Sequence, residues 1–202
     1  MSILTILKYP DQLLRETSLP VTEFDETLAT LADDMRETML AAPGAGLAAP
    51  QVGRLLRLIV ADVSAEGEEW GTRVVTLCNP EIVATTGKIL YEEGCLSVED
   101  FKAMVSRFEG VTVKAADIKG EPVELSVSGK PAVVLQHEID HLDGVIFVDH
   151  LSQLKREKYH KHLSRVLRNA KKDEEEKKDE KKKEAGRPGQ DLGRPGRKRW
   201  AV

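Results

Sequence analysis

Two histidines and a glutamate in the segment 136–144 could carry metal chemistry. On a helix, His137 and His141 are four residues apart and lie on one face, so their imidazoles can converge on a single metal ion. Glu138 is rotated off that face by about 100°, which places its carboxylate beside the metal, where a water molecule would bind. The spacing therefore predicts a metal centre with a general base next to it. A polar patch on a buried helix is the alternative interpretation.

A hydrolytic metal site of this type needs a third protein ligand and an open position for water. The metzincin pattern would place a third histidine six residues after His141, but Phe147 stands there. Glu157 is the candidate for a thermolysin-like site, in a weakly apolar segment. Cys95 is better placed, because Gly94 lets the chain turn after a predicted strand and present the thiol. From the residues alone we favour Cys95, with a buried structural cysteine as its alternative interpretation.

The motif is predicted to lie on a helix within a strand-rich body. Ser128 as a cap and Pro131 in the first turn begin a helix that runs through Leu142, and Gly144 follows it in the C′ position. Helical periodicity also predicts helices over 24–41 and 149–170. Runs of β-branched and apolar residues predict strands at 55–63, 72–78, 81–84, 88–92, 103–106, 109–116 and 121–127. The sequence therefore predicts an α+β fold in which antiparallel sheets pack around a central helix carrying HExxH, with a C-terminal helix.

The segment 44–53, GAGLAAPQVG, is small and almost uncharged, unlike a solvated loop. Glycine lets a backbone approach a ligand closely, because no Cβ intervenes. The segment could therefore line a site, or its glycines could serve tight packing and turns. The composition alone leaves both interpretations open.

Three separate motifs together resemble the signature motifs of the peptide deformylase family: GAGLAAPQ at 44–51, EGCLS at 93–97 and QHEIDHLDG at 136–144. The resemblance covers about residues 1–170 and includes ILKYPD at 6–11. It implies an enzyme that removes the N-formyl group from the initiator formyl-methionine of nascent polypeptides and releases formate. It also implies Fe²⁺ as the cofactor, although one thiolate and two imidazoles also suit Zn²⁺, Ni²⁺ or Co²⁺.

The resemblance also implies roles for individual residues. The implied metal ligands are Cys95, His137 and His141, the implied base is Glu138, and the implied donors to the substrate oxygen are the side chain of Gln51 and the backbone N–H of Leu96. The substrate backbone would pair with the chain at Gly44, Ala45 and Gly46, and the methionine side chain would enter an apolar pocket with Val133 and Val134.

Some positions depart from the family pattern. Ala45 stands where a larger aliphatic residue is common, Val98-Glu99-Asp100 replaces a frequent Val-Pro-Gly, and Lys102 stands where some members have arginine. The residues of the chemistry are unchanged. The width of the methionine pocket and the contacts with the substrate backbone are the features that these departures affect.

Charge is unevenly distributed along the chain. The formal net charge is −4, but residues 1–170 carry −8, residues 171–184 are neutral and residues 185–202 carry +4. We therefore divide the chain into a catalytic domain, 1–170, and a charged, disordered tail, 171–202, in which 171–184 could instead extend the last helix through i,i+4 pairs. The arginine-rich end beside Trp200 suits ribosomal RNA, so the ribosome is an expected partner. A solvated extension without function is the alternative.

No segment has the pattern of a signal peptide or the apolar length of a membrane span. We therefore expect a cytoplasmic monomer without membrane association, in which Cys78 and Cys95 form no disulfide. Two other function classes remain open. A general HExxH zinc peptidase would cleave unblocked chains, and a non-catalytic, metal-stabilised RNA-binding module would close its metal site with a fourth protein ligand.

Overall fold

A computed structural model of the chain describes residues 2–65 and 67–185. The strands are β1 (Gly46–Ala48), β2 (Leu58–Asp62), β3 (Val74–Thr86), β4 (Ile89–Cys95), β5 (Val98–Arg107), β6 (Gly110–Ala116) and β7 (Pro122–Ser128). The α-helices are α1 (Glu26–Ala41), α2 (Lys130–Leu142) and α3 (Gln153–Ala185), and short 3-10 helices span Gln12–Arg15, Ala49–Val52 and Phe147–His150. The predicted α+β class is confirmed. The strands predicted at 72–78 and 81–84 form the single long strand β3, which has an irregular register near its middle.

The strands make two antiparallel sheets. One has the order β1-β2-β3-β6-β7, and the other consists of β4 and β5. Strand β2 is buried along its whole length. Its side chains alternate between two cores: Ile59 and Ala61 belong to the cluster that includes α2, whereas Leu58 and Val60 belong to the cluster that includes α1. The five-stranded sheet therefore has α2 on one face and α1 on the other.

Helix α2 carries the HExxH motif and is almost entirely buried. Pro131 lies in its first turn, where a missing N–H costs no helical hydrogen bond. The predicted cap was wrong by one residue. Ser128 is the last residue of β7, and the helix is capped by Gly129, whose φ of 67° favours glycine. A single residue thus joins the edge of the sheet to the helix.

The end of α2 is fixed by a Schellman motif. The N–H of Gly144 donates to the carbonyl of His141 at 3.2 Å, and the N–H of Val145 donates to the carbonyl of Asp140 at 2.9 Å. Gly144 has a φ of 71°, and a Cβ at this position would lie 2.4 Å from the carbonyl oxygen of Arg15. The predicted C′ glycine therefore ends the helix and also allows the N-terminal segment to pack against it.

The described chain divides into two compact units, one that ends at Arg156 and one that begins at Glu157. Helix α3 runs to Ala185, past the predicted start of the tail at residue 171. The structure thus gives 171–185 the helical form that was the alternative to disorder, and the basic end, 186–202, lies outside the described residues. None of the helices in the described ranges combines the length and apolar character needed to cross a membrane.

We expect Gly144→Ala to lower the free energy of unfolding more than Gly53→Ala. Both glycines have positive φ, 71° and 76°, so alanine at either site carries a left-handed strain of about 1–2 kcal/mol. Only at Gly144 does the new Cβ also meet a backbone atom, which raises the expected loss to about 3 kcal/mol or more. Denaturant unfolding of both variants in the same metal state measures the difference. Equal losses would mean that Arg15 does not constrain this position.

Candidate active site

The three residues predicted as metal ligands meet in the structure. Cys95 ends β4, and His137 and His141 lie one turn apart on α2. One ligand atom from each lies within 4.8 Å of the others, and Cys95 Sγ is 3.2 Å from His141 Nε2. In the part of the chain that the structure describes, no fourth cysteine, histidine or carboxylate joins this group. A set of three ligands leaves a position open, as in catalytic rather than structural sites.

A tight hairpin presents the thiol of Cys95. Cys95 pairs with Val98 across a turn made by Leu96 and Ser97. The sulfur accepts hydrogen bonds from the N–H of Ser97 at 3.4 Å and from Gln51 Nε2 at 3.6 Å. Burial opposes ionisation of the thiol, but the charges and hydrogen bonds of the two α2 histidines outweigh it and hold the pKa of Cys95 well below its usual value. The thiolate, which is the form that binds metals, is therefore favoured.

A buried carboxylate orients His137. The Nδ1–H of His137 donates to Glu93 Oε2 at 2.8 Å, so Nε2 is the ring nitrogen with which His137 would bind a metal. Glu93 in turn accepts from Arg107 Nε at 2.7 Å. Arg107 Nη1 also donates to Asp140 Oδ2 at 2.6 Å, and His150 Nε2 lies 2.7 Å from the same oxygen. Burial raises the pKa of Glu93, but the hydrogen bonds from His137 and Arg107 more than offset this, so the group is a carboxylate.

Sequence reasoning missed this network. Glu93 precedes Cys95 by two residues, a spacing that puts side chains on the same face of a strand, so its position beside Cys95 could have been predicted from the sequence. The contact of Glu93 with Arg107 could not have been predicted, because it depends on the register of β4 against β5 and on the inward direction of the Arg107 side chain.

Glu138 is a buried carboxyl group beside the candidate ligands. It is 4% exposed, and its Oε2 has no hydrogen-bond partner among the described residues. Burial raises the pKa of Glu138 to about 7, although the imidazoles of His137 and His141 act in the opposite direction. A carboxyl group that exchanges its proton near neutral pH and lies next to three candidate metal ligands is suited to general acid–base chemistry.

The two glycines of the 44–46 segment allow close contacts between the three motifs. A Cβ at Gly46 would lie 2.3 Å from Glu138 Oε1, and a Cβ at Gly44 would lie 2.6 Å from Leu96 Cδ1. Tight packing, one of the two interpretations of this segment, therefore applies at both positions. The same segment also lines a cavity, so the other interpretation remains a candidate for function.

This cavity has a volume of about 350 Å³, and the candidate ligands Cys95 and His137 are among the residues that line it. Every residue predicted to bind substrate lines it: Gly44, Ala45, Gly46, Val133 and Val134. Lys102, named above for its departure from the family pattern, also lines it, as do Tyr91 and Lys130, which the sequence analysis did not single out. Gln51 is held in place because its Oε1 accepts from the N–H of Ala48 at 2.8 Å, which turns its Nε2 donor toward Cys95 and Ser97. The cavity thus combines an apolar wall with a few oriented polar groups, as ligand sites do.

The residues present fit a divalent transition metal. A thiolate favoured by its surroundings and two imidazoles, one of them oriented by Glu93, form a mixed sulfur and nitrogen donor set. Such a set suits iron, cobalt, nickel and zinc better than the hard cations magnesium and calcium.

Comparison with known proteins finds a family of hydrolases that agrees with the candidate metal site described above. The model of the polypeptide deformylase family matches residues 3–157. A peptide deformylase of Desulfotalea psychrophila is 50% identical over 161 residues, which cover 80% of this chain and 95% of the relative. A peptide deformylase of Syntrophobacter fumaroxidans is 46% identical over 170 residues, which cover 84% and 99%.

A solved structure is similar as well. The crystal structure of a peptide deformylase from Legionella pneumophila has a TM-score of 0.75 and 47% identity, and the match covers 84% of this chain and 98% of that one. Neither a general zinc peptidase nor a non-catalytic RNA-binding module is favoured by these matches. Because the family model spans most of the chain and close relatives cover it at nearly their full length, the chain belongs to the peptide deformylase family, metal-dependent hydrolases that remove the N-formyl group from nascent polypeptides.

Proposed function

We propose that the chain deformylates formyl-methionyl nascent polypeptides at this cavity, with Cys95, His137 and His141 as the metal ligands. The observation that carries the proposal is the convergence of these three donors beside Glu138, a buried carboxyl group whose pKa is about 7. A structural metal site would have no use for such a group. The same convergence supports a catalytic domain within residues 1–170.

Fe²⁺ is the metal we propose for the native enzyme, with Zn²⁺, Ni²⁺ and Co²⁺ as substitutes that the donor set also accepts. The proposal of iron rests on the resemblance of the motifs to the family. Formamide hydrolysis is slow because water is a poor nucleophile and the formamide carbonyl a poor electrophile. When bound, such a cation lowers the pKa of water toward about 7 and polarises the carbonyl group, which helps both reactants.

Glu138 carries the proton in this scheme. Its carboxylate accepts a proton from the attacking water, whose oxygen adds to the formyl carbon. It then delivers the proton to the amine as the C–N bond breaks and formate leaves. The absence of a hydrogen-bond partner at Glu138 Oε2 among the described residues supports this role, because no other group competes for the proton.

Gln51 and Leu96 would stabilise the oxygen that becomes negative. The Gln51 amide is oriented by Ala48, and Leu96 follows Cys95 in the hairpin turn. One such preorganised donor is typically worth about 2.7–4 kcal/mol. Both groups line the cavity, which supports the assignment.

The substrate backbone would add as a strand beside 44–46. β1 is at the edge of its sheet, with β2 as its only strand neighbour among the described residues, so its other edge can pair with a peptide. The methionine side chain would then enter the part of the cavity lined by Val133 and Val134. Ala45 lines the same cavity and leaves more room there than a larger aliphatic residue would.

A formyl-methionyl tripeptide assayed beside its unformylated twin tests the function. The chain should release formate from the first and leave the second uncleaved, whereas a general peptidase would cleave the second.

Glu138→Gln should keep the metal and lose about 10²–10⁴-fold in kcat, because the amide keeps the shape and removes the base. A kcat within a few-fold of the parent would exclude Glu138 as the proton carrier.

The two cysteines provide a matched test of the ligand set. We expect Cys95→Ser to lose the metal and Cys78→Ser to retain it. Cys78 is fully buried in the α1 core, where burial raises the pKa of its thiol to about 11, so it has no reason to ionise or to bind a cation. Metal analysis of anaerobically purified protein should find iron in the parent and in Cys78→Ser. Full occupancy of Cys95→Ser would contradict the assignment.

The C-terminal end is proposed to bind the ribosome. We further propose a cytoplasmic monomer, since formylated nascent chains emerge there and all the candidate ligands come from one chain. The basic end, 186–202, carries +4 on a chain whose first 170 residues carry −8, and it includes Trp200, which offers a stacking surface for an unpaired base.

Deletion of 171–202 should leave the rate on a formyl-methionyl tripeptide unchanged and weaken binding to ribosomes. The dependence of binding on salt should also flatten, because each lost phosphate contact removes roughly 0.7–0.9 from the log–log slope. Sedimentation with ribosomes at several salt concentrations measures both quantities. If the truncated and full-length chains give the same affinity and slope, the tail has no part in binding.

A further inference from the structure

The N-terminal segment contacts two of the three motifs at the site. The N–H of Leu7 donates to the carbonyl of Gln51 at 2.7 Å, and the N–H of Tyr9 donates to the carbonyl of Ser97 at 2.8 Å. Between them, the ammonium group of Lys8 donates to the carbonyl of Leu96 at 2.8 Å. One short stretch of chain therefore ties the segment that carries Gln51 to the turn that follows Cys95.

The bond from Lys8 falls on the central peptide of that turn. The peptide that joins Leu96 to Ser97 has its carbonyl on Lys8 and its N–H on Cys95 Sγ, at 3.4 Å. The ladder hydrogen bonds of a two-residue hairpin do not fix this peptide, and the common turn types differ by its rotation. If it rotated by half a turn, the N–H of Ser97 would point away from the sulfur. Lys8 holds the carbonyl end and so stabilises the orientation in which the sulfur receives the N–H.

We infer that Lys8 is a positioning residue that acts on the sulfur of Cys95 through the Leu96–Ser97 peptide. A cationic donor at a carbonyl makes a strong hydrogen bond and polarises the amide, which strengthens donation from the N–H at its other end. Hydrogen bonds to a ligand sulfur withdraw electron density from it and tune the metal that it binds. The inference rests on the proposed function in one respect, the assignment of Cys95 as a ligand.

A surface ion pair is the competing explanation for Lys8. Its ammonium group also lies 3.2 Å from Glu99 Oε1, and both side chains are about half exposed, at 49% and 52%. Such pairs contribute little by themselves. If Lys8 served only this pair, substituting Lys8 or Glu99 would have the same small effect on the electron density of the Cys95 sulfur. If Lys8 acts on the turn, only the substitution of Lys8 changes that electron density.

Cobalt-loaded enzyme distinguishes the two explanations, because a thiolate bound to Co²⁺ gives a charge-transfer absorption band that reports the electron density on sulfur. We expect Lys8→Met to move this band to longer wavelength, since the sulfur loses a donor and holds its electrons less tightly. Lys8→Arg, which keeps a cationic donor, should keep the parent band, and so should Glu99→Gln. With Lys8→Met, kcat should also fall by up to about tenfold, because outer partners of a ligand set carry effects of about 10–100-fold and Lys8 acts one bond further out.

The outcomes separate this inference from the ligand assignment. An unshifted band in Lys8→Met, or equal shifts in Lys8→Met and Glu99→Gln, would overturn the role of Lys8. A parent enzyme without the band, or a band that persists in Cys95→Ser, would instead overturn the assignment of Cys95. If Lys8→Met does not fold, Lys8→Gln serves in its place: its uncharged amide should give a smaller shift in the same direction, and no shift would overturn the inference.

Discussion

The structure depends on burying ionisable side chains on a helix that packs into the apolar core. His137, Glu138 and His141 are 8%, 4% and 1% exposed, and a charged group away from water is costly unless it is paired. The first histidine has Glu93, backed by Arg107, and the second faces the Cys95 sulfur. Glu138 Oε2 and His141 Nδ1 have no hydrogen-bond partner in the described part of the chain, and burial raises the pKa of Glu138 to about 7. The proposed proton carrier is therefore a buried carboxyl group that the fold does not fully compensate.

The position of the helix follows from the two cores on either side of β2. α2 packs on one face of the five-stranded sheet and α1 on the other, so the HExxH helix has little freedom to slide. The Schellman motif at Gly144 fixes its C-terminal end against the N-terminal segment. Packing around α2 thus holds this helix in place, and the β4–β5 hairpin brings the third candidate ligand, Cys95, to it.

Local signals in the sequence were sufficient for much of this arrangement. The helical spacing of His137 and His141 and the glycine at 144 depend only on neighbouring residues, and the structure has both as predicted. The cap of α2 was misplaced, because Ser128 is a common cap type but is used here to pair with Gly110 in the sheet. The Glu93–Arg107 pair and the fit of Gly46 against Glu138 were not predictable, since each depends on how distant segments are aligned in three dimensions.

The close contacts at Gly44 and Gly46 limit how this pocket can vary. A Cβ at Gly46 would overlap the carboxyl group of Glu138 and a Cβ at Gly44 would displace the end of the Leu96 side chain, whereas Ala45 between them lines the cavity. The width of the pocket is therefore adjustable at one position in three along this segment. A redesign of the proposed methionine pocket for bulkier or smaller amino-terminal residues can therefore change Ala45 and the facing helix, whereas position 46 has to remain glycine.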